Sequence, residues 1–198
     1  MTGVRGPGAA TLWRAPRRAA VRVLREVQGL PAYRRLGRRL APPFTIVEAT
    51  PADVAALRRR KSPEARRRTP TADPNETRWV ARHGSRVAGG VRLVMYPEDR
   101  APWTGWWLDS LEVRAFWRGF GIGEALARRV VTEAPSLGAA ELLLVVRSDN
   151  GRALRLYHRL GFEYTTVAGL KPVLAAGKKA SGLRHVIMRK VLSDAVTR

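Results

Sequence analysis

The segment ELLLVVR, residues 141–147, constrains the fold more than any other feature of the chain: five consecutive aliphatic residues stand between two charged ends. A strand with one wet face alternates apolar and polar side chains. An unbroken aliphatic run belongs instead to a strand covered on both faces. A strand of that kind sits inside a sheet flanked by helices, which places the chain in the α/β class.

The surrounding pattern agrees. FTIVEA (44–49) reads as a strand, and Thr50-Pro51-Ala52-Asp53 as a helix cap with proline at the first helical position, opening VAALRRR. RWVARH and RVAGGVRLVMY, joined at Gly84-Ser85, form a hairpin, and WWLDSLEV (106–113) is a fourth strand. EALARRVVTEA is an amphipathic helix ending at Pro135, and Asn150 to Leu160 a second one closing on Gly161. FEYTTV and RHVIMRKVL add two strands around GLKPVLAAGKKASG, read as a loop. The expected order is β-α-β-β-β-α-β-α-β-β.

Charge and cysteine content narrow the chemistry. There are 37 Lys and Arg against 16 Asp and Glu, a formal net charge of +21, which draws anions: nucleic acid, an acidic surface, an acidic carrier protein or a phosphorylated cofactor. An Arg/Ala/Gly/Pro-rich coding vocabulary accounts for the same excess. No cysteine occurs, so disulfides, thiolate metal sites and a cysteine acyl-enzyme are excluded. His83, His158 and His185 have no metal-site spacing, and no metal is expected. No run of 18 apolar residues suggests a membrane span, and a cytoplasmic location is the expectation.

Residues 1–43 stand apart, with ten arginines and one acid, Glu26, or about +9 of the total. Apolar residues at helical spacing on both sides of Gly29-Leu30-Pro31 suggest a basic helical extension. Packing on the main domain, lying on an anionic surface, recruiting an acidic carrier protein or nucleic acid, and serving as a transit peptide are all open readings. Pro42-Pro43 marks the boundary; the main domain is expected over 44–193, with a short tail at 194–198.

Between the fourth strand and the next helix, RGFGIGEALARRV (118–130) carries Gly119, Gly121 and Gly123 within five residues. Glycine there lets backbone N–H groups approach a phosphate at the positive end of a helix. Arg118 adds a charged donor. A Walker loop needs Gly-Lys-Ser/Thr, which is absent, and the dinucleotide fingerprint needs glycine where Glu124 stands.

VRAFWRGFGIGEAL resembles the acyl-CoA pyrophosphate loop of the GNAT superfamily of N-acetyltransferases, with Arg118, Gly121 and Gly123 at the motif positions. NGRALRLYHRLGF (150–162) resembles a second GNAT block, matching it at Asn150, Ala153, Leu156, Tyr157, Gly161 and Phe162. The likeness spans about residues 44–192. It implies the GNAT fold, a mixed, mostly antiparallel sheet of about six to seven strands flanked by helices. It also implies acetyl-CoA, or another acyl-CoA, as co-substrate, and direct attack by a primary amine on the thioester without a covalent enzyme intermediate. The acceptor would be a small molecule or peptide, with monomer and homodimer both open. A longer acyl chain, from CoA or a carrier protein, is the alternative among enzymes. A nucleic-acid-binding protein on a catalytically silent GNAT scaffold is the alternative of another class.

On that resemblance, the coenzyme lies where the fourth and fifth strands separate. Pantetheine runs along Leu111 to Val113 as an added strand, and the diphosphate meets the backbone of Arg118, Gly119, Phe120, Gly121, Ile122, Gly123 and Glu124. Asn150 binds pantetheine or caps its helix. Tyr157 is the expected general acid, its phenol protonating the departing thiolate. Glu112 is the first candidate base, with Asp109 beside it on the same strand and His185 a lesser one. Val145 stands where relatives of the ribosomal-protein type would carry a glutamate, which argues against peptide N-terminal specificity of that kind. Trp103, Trp106 and Trp107 either wall an acceptor site or pack beneath a loop.

Overall fold

The computed structural model describes residues 43–58 and 73–192. The helices expected before Pro43, residues 61–72 of the arginine-rich stretch KSPEARRRTPTADPNE (61–76) that the sequence suggests is a polar loop, and the tail 194–198 lie outside the described residues.

The described residues form seven strands: β1 (Thr45–Glu48), β2 (Glu76–His83), β3 (Arg86–Tyr96), β4 (Gly105–Val113), β5 (Glu141–Arg147), β6 (Glu163–Thr165) and β7 (His185–Val191). They form one sheet in the order β1-β2-β3-β4-β5-β7-β6. All neighbours are antiparallel except β4 and β5. Among the described residues, four α-helices accompany the sheet: α1 (Pro51–Arg58), α2 (Ile122–Glu133), α3 (Gly151–Arg159) and α4 (Leu170–Ser181).

The aliphatic run behaves as its composition requires. β5 is central, and alternate residues go to opposite faces. Leu142, Leu144 and Val146 join a core with Leu126 and Val130 of α2 and Tyr157 of α3. Leu143 and Val145 join a second core with Trp107, Ile187 and Leu170 of α4. Both faces are thus covered by helices.

Here α4 departs from the sequence reading, which took 169–182 as a loop. Pro172 is the third residue of the helix, where its missing N–H would be unpaired in any case. Gly169 and Gly182, with φ of 78° and 70°, bracket the helix as left-handed caps. A Cβ on Gly169 would lie 3.0 Å from Cβ of Pro102, so the start of α4 is docked closely on the loop before β4.

At the other edge, Thr50 and Asp53 cap α1 reciprocally. Thr50 N–H donates to Asp53 Oδ2 at 2.8 Å, and Asp53 N–H to Thr50 Oγ1 at 3.3 Å. Arg82 of β2 grips the same carboxylate with two donors, at 3.0 and 2.5 Å. Leu57 of α1 lies where a Cβ on Gly90 would be, 2.6 Å away, so glycine in β3 permits that packing.

Candidate active site

β4 and β5 are adjacent and parallel, yet a single register pair joins them, Trp107 with Leu143. Past it the strands part, and residues 108–111 of one and 145–147 of the other line a cavity of about 590 Å³. That is the size of a pocket that encloses a small ligand. Parallel strands normally bond along their length, so the parting exposes backbone groups of β4 that an extended ligand can pair with.

β4 is also bulged. Gly90 stands opposite Glu112, but Arg92 opposite Asp109, so β4 carries one more residue than β3 over this stretch. Ser110 absorbs the excess at φ 52°, a left-handed conformation uncommon outside glycine and costly unless its surroundings hold it. Bulges re-aim the side chains beside them. Asp109 and Leu111 line the large cavity, whereas Glu112 lines a second pocket of about 110 Å³ with Leu57, Gly90 and Arg92. Ser110 borders both.

Tyr157 comes to the cavity from α3. Asn150 starts this helix, its Oδ1 accepting from the N–H of Ala153 at 3.2 Å, and it lines the same cavity. Seven residues on, Tyr157 falls on the inner face and its ring meets Phe162 edge-on, with centroids 5.7 Å apart. The residue is 6% exposed, and its hydroxyl makes no hydrogen bond to protein among the described residues. Burial pushes the phenol far above its ordinary pKa, and the negative charge of Asp109 pushes it further in the same direction. The proton therefore stays on Tyr157 across any ordinary pH. Asp109 is itself ion-paired with Arg92.

The glycine turn follows β4. Trp117 is buried in the main core and fixes the entry to the turn. Gly119 and Gly121 have φ of 91° and 83°, and Gly121 is the N-cap of α2. Glycine at the cap has no side chain to bond the first amides of the helix, which leaves that role to another partner such as a ligand. Arg118 donates from Nε to the carbonyl of Val113 at 2.9 Å, closing the turn back on the end of β4. Glu124, an acid in the first turn of α2, would repel an anion, but Arg128 and Arg159 neutralise it at 3.1 and 3.4 Å. Residues 118–124 are not part of the cavity lining; they stand at the C-terminal end of β4, beyond Leu111.

The Acetyltransferase (GNAT) family model matches residues 43–162. The chain belongs to the GNAT acetyltransferase family.

Over 87 residues it is 33% identical to N-acetyltransferase family 8 member 2 of Rattus norvegicus, covering 44% of this chain and 38% of that protein. Over 81 residues it is 33% identical to the streptothricin acetyltransferase of Streptomyces lavendulae, covering 41% of each. The chain thus spans about two fifths of the length of these curated relatives. Among solved structures, the ribosomal-protein-S18-alanine N-acetyltransferase of Escherichia coli superposes with a TM-score of 0.60 at 19% identity, covering 79% of this chain and 98% of that one. At that identity the likeness is one of fold.

Of the residues that the sequence reading assigned to coenzyme and chemistry, Leu111, Asn150 and Tyr157 line this one cavity, and Val113 does not. Among the acids, Asp109 joins them and Glu112 does not. His185, from the start of β7, is on the cavity wall as well. The tryptophans divide. Trp106 packs against the main core, while Trp107 and Trp103 meet edge-on at 5.2 Å on the cavity wall. Sequence reasoning missed Arg100 and Tyr96 on that wall. Tyr96 ends a strand and Arg100 ends a three-residue turn, positions with no periodic signal. Among the described residues no group of three or more His, Asp or Glu side chains is arranged to hold a metal ion.

Proposed function

We propose that this protein transfers an acetyl group from acetyl-CoA to a primary amine, by direct attack within the cavity between β4 and β5. The observation that carries the reading is the convergence of a buried, proton-retaining Tyr157 and the carboxylate of Asp109 on one cavity, at the point where two parallel strands part.

The residues present suit the co-substrate. Acetyl-CoA supplies an activated acyl group on a thiolate leaving group, together with a diphosphate and an extended, amide-bearing arm. The amides of residues 119–124 at the uncapped start of α2 would hold the diphosphate. The backbone of β4 at Leu111–Val113 would pair with the arm, and Asn150 would add a side-chain amide. Tyr157 would give its proton to the sulfur as the thioester bond breaks. Asp109, rather than Glu112, would accept a proton from the incoming amine, because it shares the cavity with Tyr157. Holding the two reactants in register is itself worth about 7–11 kcal/mol of barrier.

Thiol release from acetyl-CoA in the presence of a panel of primary amines and short peptides tests the reading. Amine-dependent release, with the product heavier by one acetyl group, is expected. Absence of both release and any acetyl-CoA-induced rise in melting temperature would overturn it.

A further inference from the structure

The charges on the cavity wall are matched, with one exception. Asp109 is ion-paired to Arg92, and Arg147 to Asp149 at 2.5 Å. Arg100 makes no ion pair among the described residues, although it too lines the cavity. Glu98 and Asp99 precede it in the same turn, but neither is on the cavity wall. The turn is built: Arg100 N–H donates to Pro97 O and Trp103 N–H to Arg100 O, both at 2.9 Å. Pro102, two residues on, sits against Gly169 at the start of α4. The backbone carrying Arg100 is therefore held in place, and Trp103, Trp107 and Tyr96 form the apolar wall beside it.

From this arrangement, and resting on the acetyl-transfer reading above, we infer that the acceptor is an amine that also bears a carboxylate, on an apolar or aromatic body. The ammonium end faces Asp109 and Tyr157, the body lies against Trp103 and Trp107, and the carboxylate meets Arg100. A guanidinium fork fits the two oxygens of a carboxylate. A single unmatched positive charge balances one carboxylate; a phosphate dianion would leave excess negative charge. A polycationic acceptor would leave Arg100 facing like charge.

Calorimetric titration of the CoA-loaded, full-length protein tests this without requiring turnover. The ligands are three pairs: L-tryptophan and tryptamine, L-phenylalanine and phenethylamine, 4-(aminomethyl)benzoate and benzylamine. In at least one pair the carboxylate-bearing member is expected to bind about tenfold or more tightly than its partner, as a charge-assisted hydrogen bond provides. In Arg100→Gln that advantage should fall below about twofold. Arg100 is exposed, so this variant keeps its fold. Trp103→Leu should weaken both members of a pair alike. No advantage for any carboxylate in the wild-type protein, no binding of any pair, or an advantage that survives Arg100→Gln would each overturn the inference. Failure of CoA itself to bind contradicts the acetyl-transfer reading instead, so the two failures are distinguishable.

Discussion

Trp107 on β4 stands opposite Leu143 on β5 within one apolar cluster, and past this pair the two strands become the walls of a cavity. The parting exposes β4 backbone to an extended ligand and lets Tyr157 reach the cavity from α3 on one side. The tryptophan wall and Asp109 approach from the other.

Tyr157→Phe keeps the ring contact with Phe162 and removes only the hydroxyl. The turnover number should fall by about 10²- to 10⁴-fold with little change in melting temperature, as loss of a general acid does. Because the phenol stays protonated, the fold-loss should be the same at pH 7 and pH 10. A loss that vanishes at high pH would show that Tyr157 ionises in the working range.

The same raised pKa carries a stability consequence. A phenol that ionises near pH 10 when unfolded but only at higher pH when folded makes the folded state lose stability as pH rises past about 10. The alkaline decline in the urea midpoint between pH 9 and pH 11 should therefore be shallower in Tyr157→Phe than in the wild type.

Asp109→Asn and Glu112→Gln separate the two acids. The first should lower the turnover number by about 10²-fold or more, and the second should change it little. Arg92 remains ion-paired with Glu76 at 2.8 Å when Asp109 is neutralised, so the local fold persists. Steady-state rates with a fixed acceptor decide; the reverse ranking would return the base to Glu112.

The glycine turn divides into two roles. Gly121→Ala forces a side chain into a left-handed conformation with open space around it, and should cost about 1–2 kcal/mol of stability. Gly123→Ala meets only Val113 Cγ2 at 3.4 Å, an ordinary contact, and should leave stability unchanged or raise it by up to about 1 kcal/mol. Its methyl adds bulk beside the amides proposed to hold the diphosphate, so acetyl-CoA should bind several times more weakly. Thermal unfolding and calorimetry read the two effects separately.

Asp53 is a test remote from the cavity. Burial raises its pKa, but hydrogen bonds from Arg82 and Thr50 outweigh that and hold it below the usual carboxylate range. Its contribution is present above about pH 4, the unfolded value, and is lost as pH falls below it. Asp53→Asn should lose about 1–3 kcal/mol at pH 7 and show a shallower acid decline, measured as urea midpoints from pH 7 to pH 3.

Much of this fold was legible because its elements announce themselves locally. The aliphatic run of β5 and the caps at Thr50 and Asn150 each satisfy a backbone or burial requirement within a few residues. α4 was not: its segment carries Pro172 and Gly177, both poor inside a helix, and its start is docked through Gly169 on Pro102, a tertiary contact that no local pattern reports. The site divides likewise. Tyr157 and Asn150 sit on one helix at a fixed spacing, whereas the choice between Asp109 and Glu112 depends on a bulge at Ser110 that changes which residue of β4 meets the cavity. Arg100 reaches the wall from a turn, and no period in the sequence reports that.

A crystal structure of the protein with CoA and an amine acceptor tests the central claim most directly. The CoA sulfur is expected within hydrogen-bond reach of the Tyr157 hydroxyl, between β4 and β5, with the diphosphate on the amides at the start of α2. A coenzyme seated elsewhere, or a sulfur out of reach of Tyr157, would contradict it.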